Sequence, residues 1–263
     1  MRKLAFCFLI NDIINHEELW HIFFKNVDTN KYNIYIHYKS NEPLTYFEKY
    51  KVTSTIATSW GDISLVKAQN ILLQSAISCA DNTHFIFLSN SCIPLKPFDY
   101  VYQHLQDAYS YFNICDQSQC FPRCNSLLDL IHKECIQKAS QWCILNRKHT
   151  ELLLTNTAYI EWFAGCFAPD EHCYITTLFY HHLQGELITT PNLASGATTF
   201  TNWGGMDYKY PSHGHLKTYA DISTEELNYL LGGKSLFGRK FDTVCFSSLN
   251  NTHYRASISS PIV

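Results

Sequence analysis

The sequence predicts an α/β fold with a mostly parallel central sheet and helices on both of its faces. Over about the first hundred residues, apolar runs typical of buried strands alternate with amphipathic helical segments. Hydrophobic residues make up 46% of the 263-residue chain and charged residues only 16%, which allows a large buried core. The net charge of −3 does not favour a nucleic-acid partner, and no apolar run reaches the roughly 20 residues of a membrane span.

The first half of the chain alternates regularly between the two kinds of element. Strands are predicted at residues 4–10, 32–38, 53–58 and 84–89. Helices are predicted at residues 16–24, 64–80 and 99–109. Polar, turn-rich peptides end or follow the strands, namely INDI, IHYKS, TSWGD and LSNSCIP. Because open α/β sheets bind ligands beyond the carboxyl ends of their strands, these peptides mark the predicted site.

The second half of the chain is less regular. Residues 125–154 have the pattern of a loop, a strand and then a helix, and a further helix is predicted to begin near Pro169. Ser223 and Glu226 have the spacing of a capping box and Gly232 is a stop signal, which together predict a helix between them. Because the chain shows no repeat, low-complexity stretch or linker, a single domain over residues 1–263 is expected.

Two acidic residues, Asp170 and Glu171, stand side by side directly after Pro169 in the peptide FAPDEHCY. Proline favours the first turn of a helix, where free N–H groups and the helix dipole stabilise an ionised carboxylate. A carboxylate held ionised on a rigid element suits a general base. Acidic residues are also common at helix starts without any chemical role, so the pattern alone leaves both interpretations open.

Four peptides in chain order carry a resemblance to a known family. They are WGDISLVKAQNILLQSAI, FIFLSNSCIPLKPFDYVYQHL, KASQWCILNRKH and APDEH. At this spacing, from about residue 3 to about residue 245, the chain resembles the core-2/I-branching β-1,6-N-acetylglucosaminyltransferases, and the peptide O-xylosyltransferases are also similar. The resemblance implies a GT-A-like, Rossmann-type fold, with a nucleotide-sugar-binding half at about 1–110 and an acceptor and catalytic half at about 111–263.

The resemblance also implies a reaction, an inverting transfer from a UDP-sugar to a hydroxyl of a glycan or other acceptor. N-acetylglucosamine is the expected donor sugar. The family's base is the Glu of its PDE motif, which here matches Glu171, while Asp170 is expected to cap or orient the turn. The family holds the donor diphosphate with basic side chains near its C-terminus, which correspond here to Lys217, Arg239 and Lys240. Lysines are mostly exposed, so solvated surface positions are the alternative for Lys217 and Lys240.

No metal or cofactor is expected, and the UDP-sugar is treated as a co-substrate. The chain contains no Asp-x-Asp motif, the usual ligand of a divalent ion in GT-A enzymes. The eleven cysteines include no CxxC motif, and the cluster Cys115, Cys120 and Cys124 lacks a usual zinc spacing. Reduced thiols and a cytoplasmic location are therefore predicted, with recruitment by a partner as an alternative, since neither a signal peptide nor a membrane segment is recognised.

Further site residues follow from matching the family's motifs. Trp203 matches a family Trp beside the acceptor, although a buried core position is the alternative; the next aromatic of the animal enzymes is replaced by Gly205. The donor-side residues are His37, Ser89, Asn90 and Ser91. A histidine after a strand is also a common structural residue. The acceptor-side residues are Arg123, Lys138, Gln141, Trp142 and Asp170, and KASQW also fits a core strand with a polar edge.

Other functions remain open at this stage. A UDP-xylose-dependent xylosyltransferase is the first alternative, because the xylosyltransferases share the motifs. A catalytically inactive carbohydrate-binding protein of the same fold is the second, and the presence of Glu171 and both lysines speaks against it. A different nucleotide-binding enzyme is the third, and it is disfavoured because no Gly-rich phosphate loop follows the first strand.

Overall fold

The structure is a computed structural model that describes residues 2–155, 157–191, 198–204, 209–210, 215–246 and 252–259. The strands are β1 (Lys3–Ile10), β2 (Tyr32–Tyr38), β3 (Asn82–Ser89), β4 (Ile93–Pro94), β5 (Ser110–Ile114), β6 (Ile144–Asn146), β7 (Leu187–Pro191), β8 (Thr199–Thr201) and β9 (Phe237–Arg239). The α-helices are α1 (Glu17–Phe24), α2 (Ser64–Ile77), α3 (Phe98–His104), α4 (Arg147–Thr155), α5 (Cys173–Tyr180), α6 (Thr224–Gly232) and α7 (Thr252–Ile258). Within the described ranges, no helix is both long and apolar enough to cross a membrane.

The strands form a larger and a smaller sheet. The larger sheet has the order β2-β1-β3-β6-β5-β7, and the smaller one has the order β4-β9-β8. In the larger sheet β1 runs parallel to β2 and β3, and β5 runs parallel to β7, whereas β6 is antiparallel to both of its neighbours. The predicted mostly parallel sheet is therefore confirmed, with β6 as the reversed strand in its middle.

Strand β1 divides the core into two layers. Phe6 and Phe8 pack in a cluster with residues of α1 and α3, while Ala5 and Cys7 pack in a second cluster with residues of α2, α4 and α5. Successive side chains of a strand point to opposite faces, so β1 is covered on both of them. This explains its continuous apolar run and confirms the predicted helices on both faces of the sheet.

Local signals in the sequence predict some elements better than others. The capping box of α6 is present, since the Ser223 Oγ accepts the Glu226 N–H at 3.1 Å, and the helix ends at Gly232 as predicted. The strand predicted at residues 53–58 is not formed. There the N–H of Ile56 donates to the His37 Nε2 at 3.0 Å, so a side chain takes the place of a strand carbonyl.

Candidate active site

A cavity of about 1000 Å³ opens at the carboxyl ends of β1, β2 and β3. Its wall includes Asn11 after β1, Lys39 after β2 and Asn90 after β3, together with Trp60 and Gly61 from the loop before α2. These residues come from the four polar peptides that the sequence singled out. The fold therefore brings those peptides together in one place, at the edge of the sheet where α/β proteins bind ligands.

The two adjacent acids lie in a short turn that precedes α5. Pro169–Glu171 forms a 3₁₀ turn and α5 begins at Cys173, so the helix predicted to begin at Pro169 starts later. The reason is that the Glu171 carbonyl accepts the N–H of Ala139 at 2.8 Å and so does not join the helix. Ala168, immediately before the turn, has a φ of 54°, a left-handed conformation that costs a non-glycine residue about 1–2 kcal/mol. Strained backbone of this kind is concentrated at functional sites.

The Glu171 carboxylate is half-buried on the cavity wall and is held by two cations. Its Oε2 lies 3.4 Å from the Arg123 Nη1 and 3.4 Å from the Lys138 Nζ. Lys138 also donates to the Gln119 Oε1 at 3.1 Å. No described residue makes a hydrogen bond or an ion pair with Oε1, so the protein holds one carboxylate oxygen while the other is available to a ligand.

The segment that carries Lys138 is tied to the acidic turn. The His172 Nδ1 donates to the Gln137 carbonyl at 2.9 Å, and burial lowers the pKa of His172 to about 4, so the ring is neutral near pH 7. Next to Lys138, Ala139 forms an isolated antiparallel bridge with Ile114. The peptide KASQW is therefore an irregular segment that lines the cavity and not a core strand.

The other acid of the turn, Asp170, has a raised pKa. Its Oδ1 is buried and has no hydrogen-bond partner among the described residues, so the expected capping contact is not made by this atom. Burial, together with the charge of the adjacent Glu171, raises the pKa of Asp170 to about 7, against an opposing effect of Arg239. The expectation that the turn favours the ionised form is therefore wrong for Asp170, because desolvation of the carboxylate outweighs the local dipoles.

Two adjacent cations, Arg239 at the end of β9 and Lys240 after it, line the same cavity. Burial lowers the pKa of Arg239, whose guanidinium lies 4.7 Å from the centre of the buried Trp142 ring. Burial and the charge of Arg239 together lower the pKa of Lys240. Since like charges repel each other, two cations held side by side at a partly buried position favour the binding of an anion.

Three of the predicted donor-side residues do not line the cavity. The Lys217 Nζ lies 3.3 Å from the Glu226 Oε2 and 4.3 Å from the centre of the Tyr219 ring. His37 is fully buried, and Ser91 is buried with its Oγ 3.2 Å from the Ser89 Oγ. Their roles in donor binding stay predictions, and Gly205 lies outside the described residues.

The other predicted residues do line the cavity, and several lining residues were missed. Those predicted are Ser89, Asn90, Arg123, Lys138, Gln141, Trp142, Asp170, Glu171, Trp203, Arg239 and Lys240. Those missed include Asn11, Lys39, Trp60, Gln119, Phe167 and Thr201. Lys39 and Trp60 stand in the peptides IHYKS and TSWGD, so the position of these peptides after strands was the available signal.

Within the described part of the chain, no group of three or more His, Cys, Asp or Glu residues is arranged to hold a metal ion.

Comparison with known proteins places the chain in a family. A family model described as Core-2/I-Branching enzyme matches residues 4–231. A curated relative, Glycosyltransferase BC10 of Oryza sativa subsp. japonica, is 26% identical over 219 residues, which cover 70% of this chain and 55% of the relative. The matched region thus spans about half the length of that relative.

Two solved structures resemble the fold at low sequence identity. The apo structure of the bifunctional glycosyltransferase WbbM has a TM-score of 0.49 at 10% identity and covers 90% of this chain and 45% of that one. The galactosyltransferase LgtC, in complex with donor and acceptor sugar analogues, has a TM-score of 0.47 at 8% identity, with coverage of 98% and 97%. The family match extends over most of the chain and confirms the predicted family, and the mostly parallel sheet with helices on both faces confirms the predicted α/β class: the chain belongs to the Core-2/I-branching enzyme family.

Proposed function

We propose that the cavity is the active site of an inverting glycosyltransferase that uses a UDP-sugar donor and Glu171 as its general base. The main support is that one cavity is lined both by the Glu171 carboxylate, whose Oε2 alone is paired with cations, and by two adjacent cations, Arg239 and Lys240. An inverting transfer needs both, a base for the acceptor hydroxyl and positive charge for the departing diphosphate. Membership in the Core-2/I-branching family supports the same reaction.

The reaction is a single displacement at the anomeric carbon of the donor sugar. The acceptor oxygen forms the new bond to that carbon while the bond from the carbon to the UDP oxygen breaks. The electron pair of the broken bond leaves with the β-phosphate of UDP. The acceptor proton passes to Glu171, whose Oε1 is free to receive it while Oε2 stays on Arg123 and Lys138.

The departing diphosphate gains negative charge in the transition state, and the cations at the end of β9 are placed to stabilise it. Arg239 and Lys240 are partly desolvated, which strengthens their interaction with an anion. Lys217 is a further proposed phosphate contact, and it would have to exchange its ion pair with Glu226 for the diphosphate. These side chains supply the charge that a divalent ion supplies in other glycosyltransferases, so the proposed reaction does not depend on a metal.

The donor and acceptor are assigned to different parts of the wall. Ser89 and Asn90, at the carboxyl end of β3, are proposed to contact the donor. Trp203, which is 49% exposed and lines the cavity, is proposed to contact the acceptor. UDP-N-acetylglucosamine is the first donor to test and UDP-xylose the second, because the sequence motifs are shared by enzymes that use either.

The test of this function is the variant Glu171→Gln, which keeps the shape of the side chain and removes its basicity. General-base catalysis contributes typically about 10² to 10⁴-fold, so release of UDP in the presence of a glycan mixture should fall by that order. Binding of UDP, measured by calorimetry, should stay within about twofold, because the diphosphate contacts are untouched.

A matched control is Glu225→Gln, which changes an exposed carboxylate on α6 outside the cavity and should leave the rate unchanged. The base assignment fails if Glu171→Gln retains most of the rate. A wild-type protein that binds UDP and sugars but never releases UDP above background would instead support the inactive binding protein.

A further inference from the structure

Trp60 has a larger exposed fraction, 81%, than any other large apolar side chain among the described residues. It stands in the loop before α2 and lines the cavity. Burial of an indole ring is favourable, so a ring left open to water requires an explanation. An exposed apolar surface at the mouth of a cavity is typical of a binding site.

Trp60 forms an aromatic pair with Phe167, which is 47% exposed and lines the same cavity. The ring centres lie 5.5 Å apart at an interplanar angle of 70°, a favourable edge-to-face geometry. The loops that carry the two rings are joined, because the Ala168 N–H donates to the Gly61 carbonyl at 3.1 Å. A Cβ on Gly61 would lie in ordinary contact with the Phe167 ring at 3.6 Å, and glycine is favoured here by its φ of 70° rather than by lack of space.

The aromatic pair is continuous with the wall that holds Glu171. Phe167 leads into the acidic turn, and its N–H donates to the Arg123 carbonyl at 3.1 Å. The Arg123 guanidinium lies 5.1 Å from the centre of the Phe167 ring and also contacts the Glu171 Oε2. One arginine therefore links the exposed rings to the proposed base, and a group bound on the rings lies next to the position of the acceptor hydroxyl.

We propose that Trp60 and Phe167 form a subsite for a second pyranose ring of the acceptor, so that the enzyme prefers an oligosaccharide to a monosaccharide. This inference rests on the proposed function, in which an acceptor sugar presents its hydroxyl to Glu171. A pyranose has an apolar face of C–H groups that packs against an aromatic ring, while its hydroxyl groups project from the edge. Gln119 lines the same cavity, and while its Oε1 accepts from Lys138 at 3.1 Å, its amide NH₂ supplies donors for such hydroxyls.

The occupant we infer is a neutral sugar. Arg123, whose guanidinium lies 5.1 Å from the centre of the Phe167 ring, is already paired with Glu171, and the Lys39 Nζ donates to the Thr58 Oγ1 at 2.8 Å, so neither cation is left unpaired to attract an anionic group. The uracil of the donor is the competing occupant, since bases also stack on aromatic side chains. Removal of Trp60 should weaken UDP binding if the rings hold the uracil and leave it nearly unchanged if they hold a sugar, so the two occupants can be distinguished.

The test is calorimetry on the full chain in the presence of saturating UDP. Cellobiose, lactose, chitobiose and xylobiose are titrated beside glucose, galactose, N-acetylglucosamine and xylose. At least one disaccharide should bind several-fold more tightly than its component monosaccharides. Trp60→Ala should reduce that affinity by about tenfold and Trp60→Phe by less, while the affinity for UDP should change by less than about twofold.

A matched control is Tyr100→Ala, which removes an aromatic ring of α3 that is 43% exposed and lies outside the cavity. It should leave the affinities for both the disaccharide and UDP unchanged. The melting temperature of each variant shows whether folding is intact. The inference is overturned if no disaccharide is preferred, if Trp60→Ala binds it normally, or if Trp60→Ala weakens UDP by as much as the sugar.

These measurements are independent of the transfer rate, so the two proposals can fail separately. If Glu171→Gln retains transfer but Trp60→Ala loses the disaccharide, the assignment of the base is wrong and the subsite stands. If Glu171→Gln abolishes transfer but Trp60→Ala binds all sugars normally, the reaction stands and the subsite is wrong.

Discussion

The two halves of the chain contribute different kinds of residue to the cavity. The half up to residue 110 contributes mainly apolar and neutral polar side chains, with Lys39 as its charged residue. The half from residue 111 contributes Arg123, Lys138, Asp170, Glu171, Arg239 and Lys240. The first group stands at or near the ends of regular strands, while most of the second stands on irregular segments. The comparison teaches that the parallel strands locate the site, whereas the irregular segments provide its charge.

The half from residue 111, called here the charged half, lowers the stability of the folded protein by burying ionisable groups. The effect can be measured at Asp170. Its pKa is about 7 in the folded protein against an ordinary value of 3.8. Between these values the unfolded chain binds fewer protons than the folded one, so the stability of the wild type falls as the pH rises. A shift of roughly three pKa units corresponds to roughly 4 kcal/mol. Asp170→Asn should therefore gain up to about this much stability over the wild type between pH 4 and pH 8.

Urea unfolding at several pH values between 4 and 8 measures this difference. The control is Asp116→Asn, because hydrogen bonds from the Ser118 side chain and from the Ser118 N–H lower the pKa of Asp116. Its contribution to stability is present above the unfolded pKa of an aspartate, so the difference from the wild type should stay flat across this range. A flat difference for Asp170→Asn as well would show that its carboxyl ionises normally.

Lys240→Ala should weaken the charged half directly. The donor diphosphate is charged in the ground state and more so in the transition state, so both UDP binding and transfer should fall. A charge-assisted contact is worth about 1.5–3 kcal/mol, which predicts a loss of roughly ten- to hundredfold in each. The measurements are calorimetry with UDP and the rate of UDP release.

Lys217→Ala should be compared with Lys240→Ala. Both lysines were predicted to bind the diphosphate, but only Lys240 lines the cavity. If Lys217 leaves Glu226 to bind phosphate, its loss should resemble that of Lys240 and the double variant should be weaker than either. A neutral Lys217→Ala would assign the diphosphate to Lys240 and Arg239. Normal UDP binding by Lys240→Ala would contradict the proposed donor site altogether.

The same division between halves explains what could be predicted from the sequence. The apolar run of β1 and the helical period of α2 depend on burial, which a regular pattern records, and both were found. The segment from Lys138 to Trp142 has no period, because its position depends on distant contacts such as the hydrogen bond from His172 to Gln137. The roles of Glu171 and Lys240 were therefore predicted by resemblance and not by pattern.

The raised pKa of Asp170 could not be predicted because burial is a property of the folded chain. The sequence shows only a proline followed by two acids, which by itself favours ionised carboxylates at a helix start. Trp60 was missed for the opposite reason, since apolar residues are ordinarily assigned to the core and its exposure appears only in the structure.

Asn90→Ala tests the half up to residue 110, and it should reduce the affinity for the donor less than Lys240→Ala does. Asn90 follows β3 and lines the cavity, and its proposed contact with the donor uses an amide rather than a charge. A hydrogen bond between neutral groups contributes about 0.5–1.5 kcal/mol, so the affinity for UDP-sugar should fall by about two- to tenfold. The rate at saturating donor should change little, because this contact is made equally in the ground and transition states. If Asn90→Ala weakened donor binding as much as Lys240→Ala, the charged side chains of the second half would not contribute more than the neutral ones of the first.

Removal of divalent metal should have the smallest effect of all. The proposed chemistry stabilises the departing diphosphate with side chains of the charged half, above all Arg239 and Lys240, whose partial burial strengthens their attraction to an anion. These cations are part of the chain, so a chelator cannot remove them, and UDP release should persist in excess EDTA at a rate within about twofold of the untreated enzyme. The control is a metal-dependent glycosyltransferase assayed in the same buffer, which EDTA should inactivate. Loss of activity in EDTA with recovery on addition of Mn²⁺ or Mg²⁺ would show that these side chains do not suffice, and that the charge at the diphosphate is shared with a metal ion.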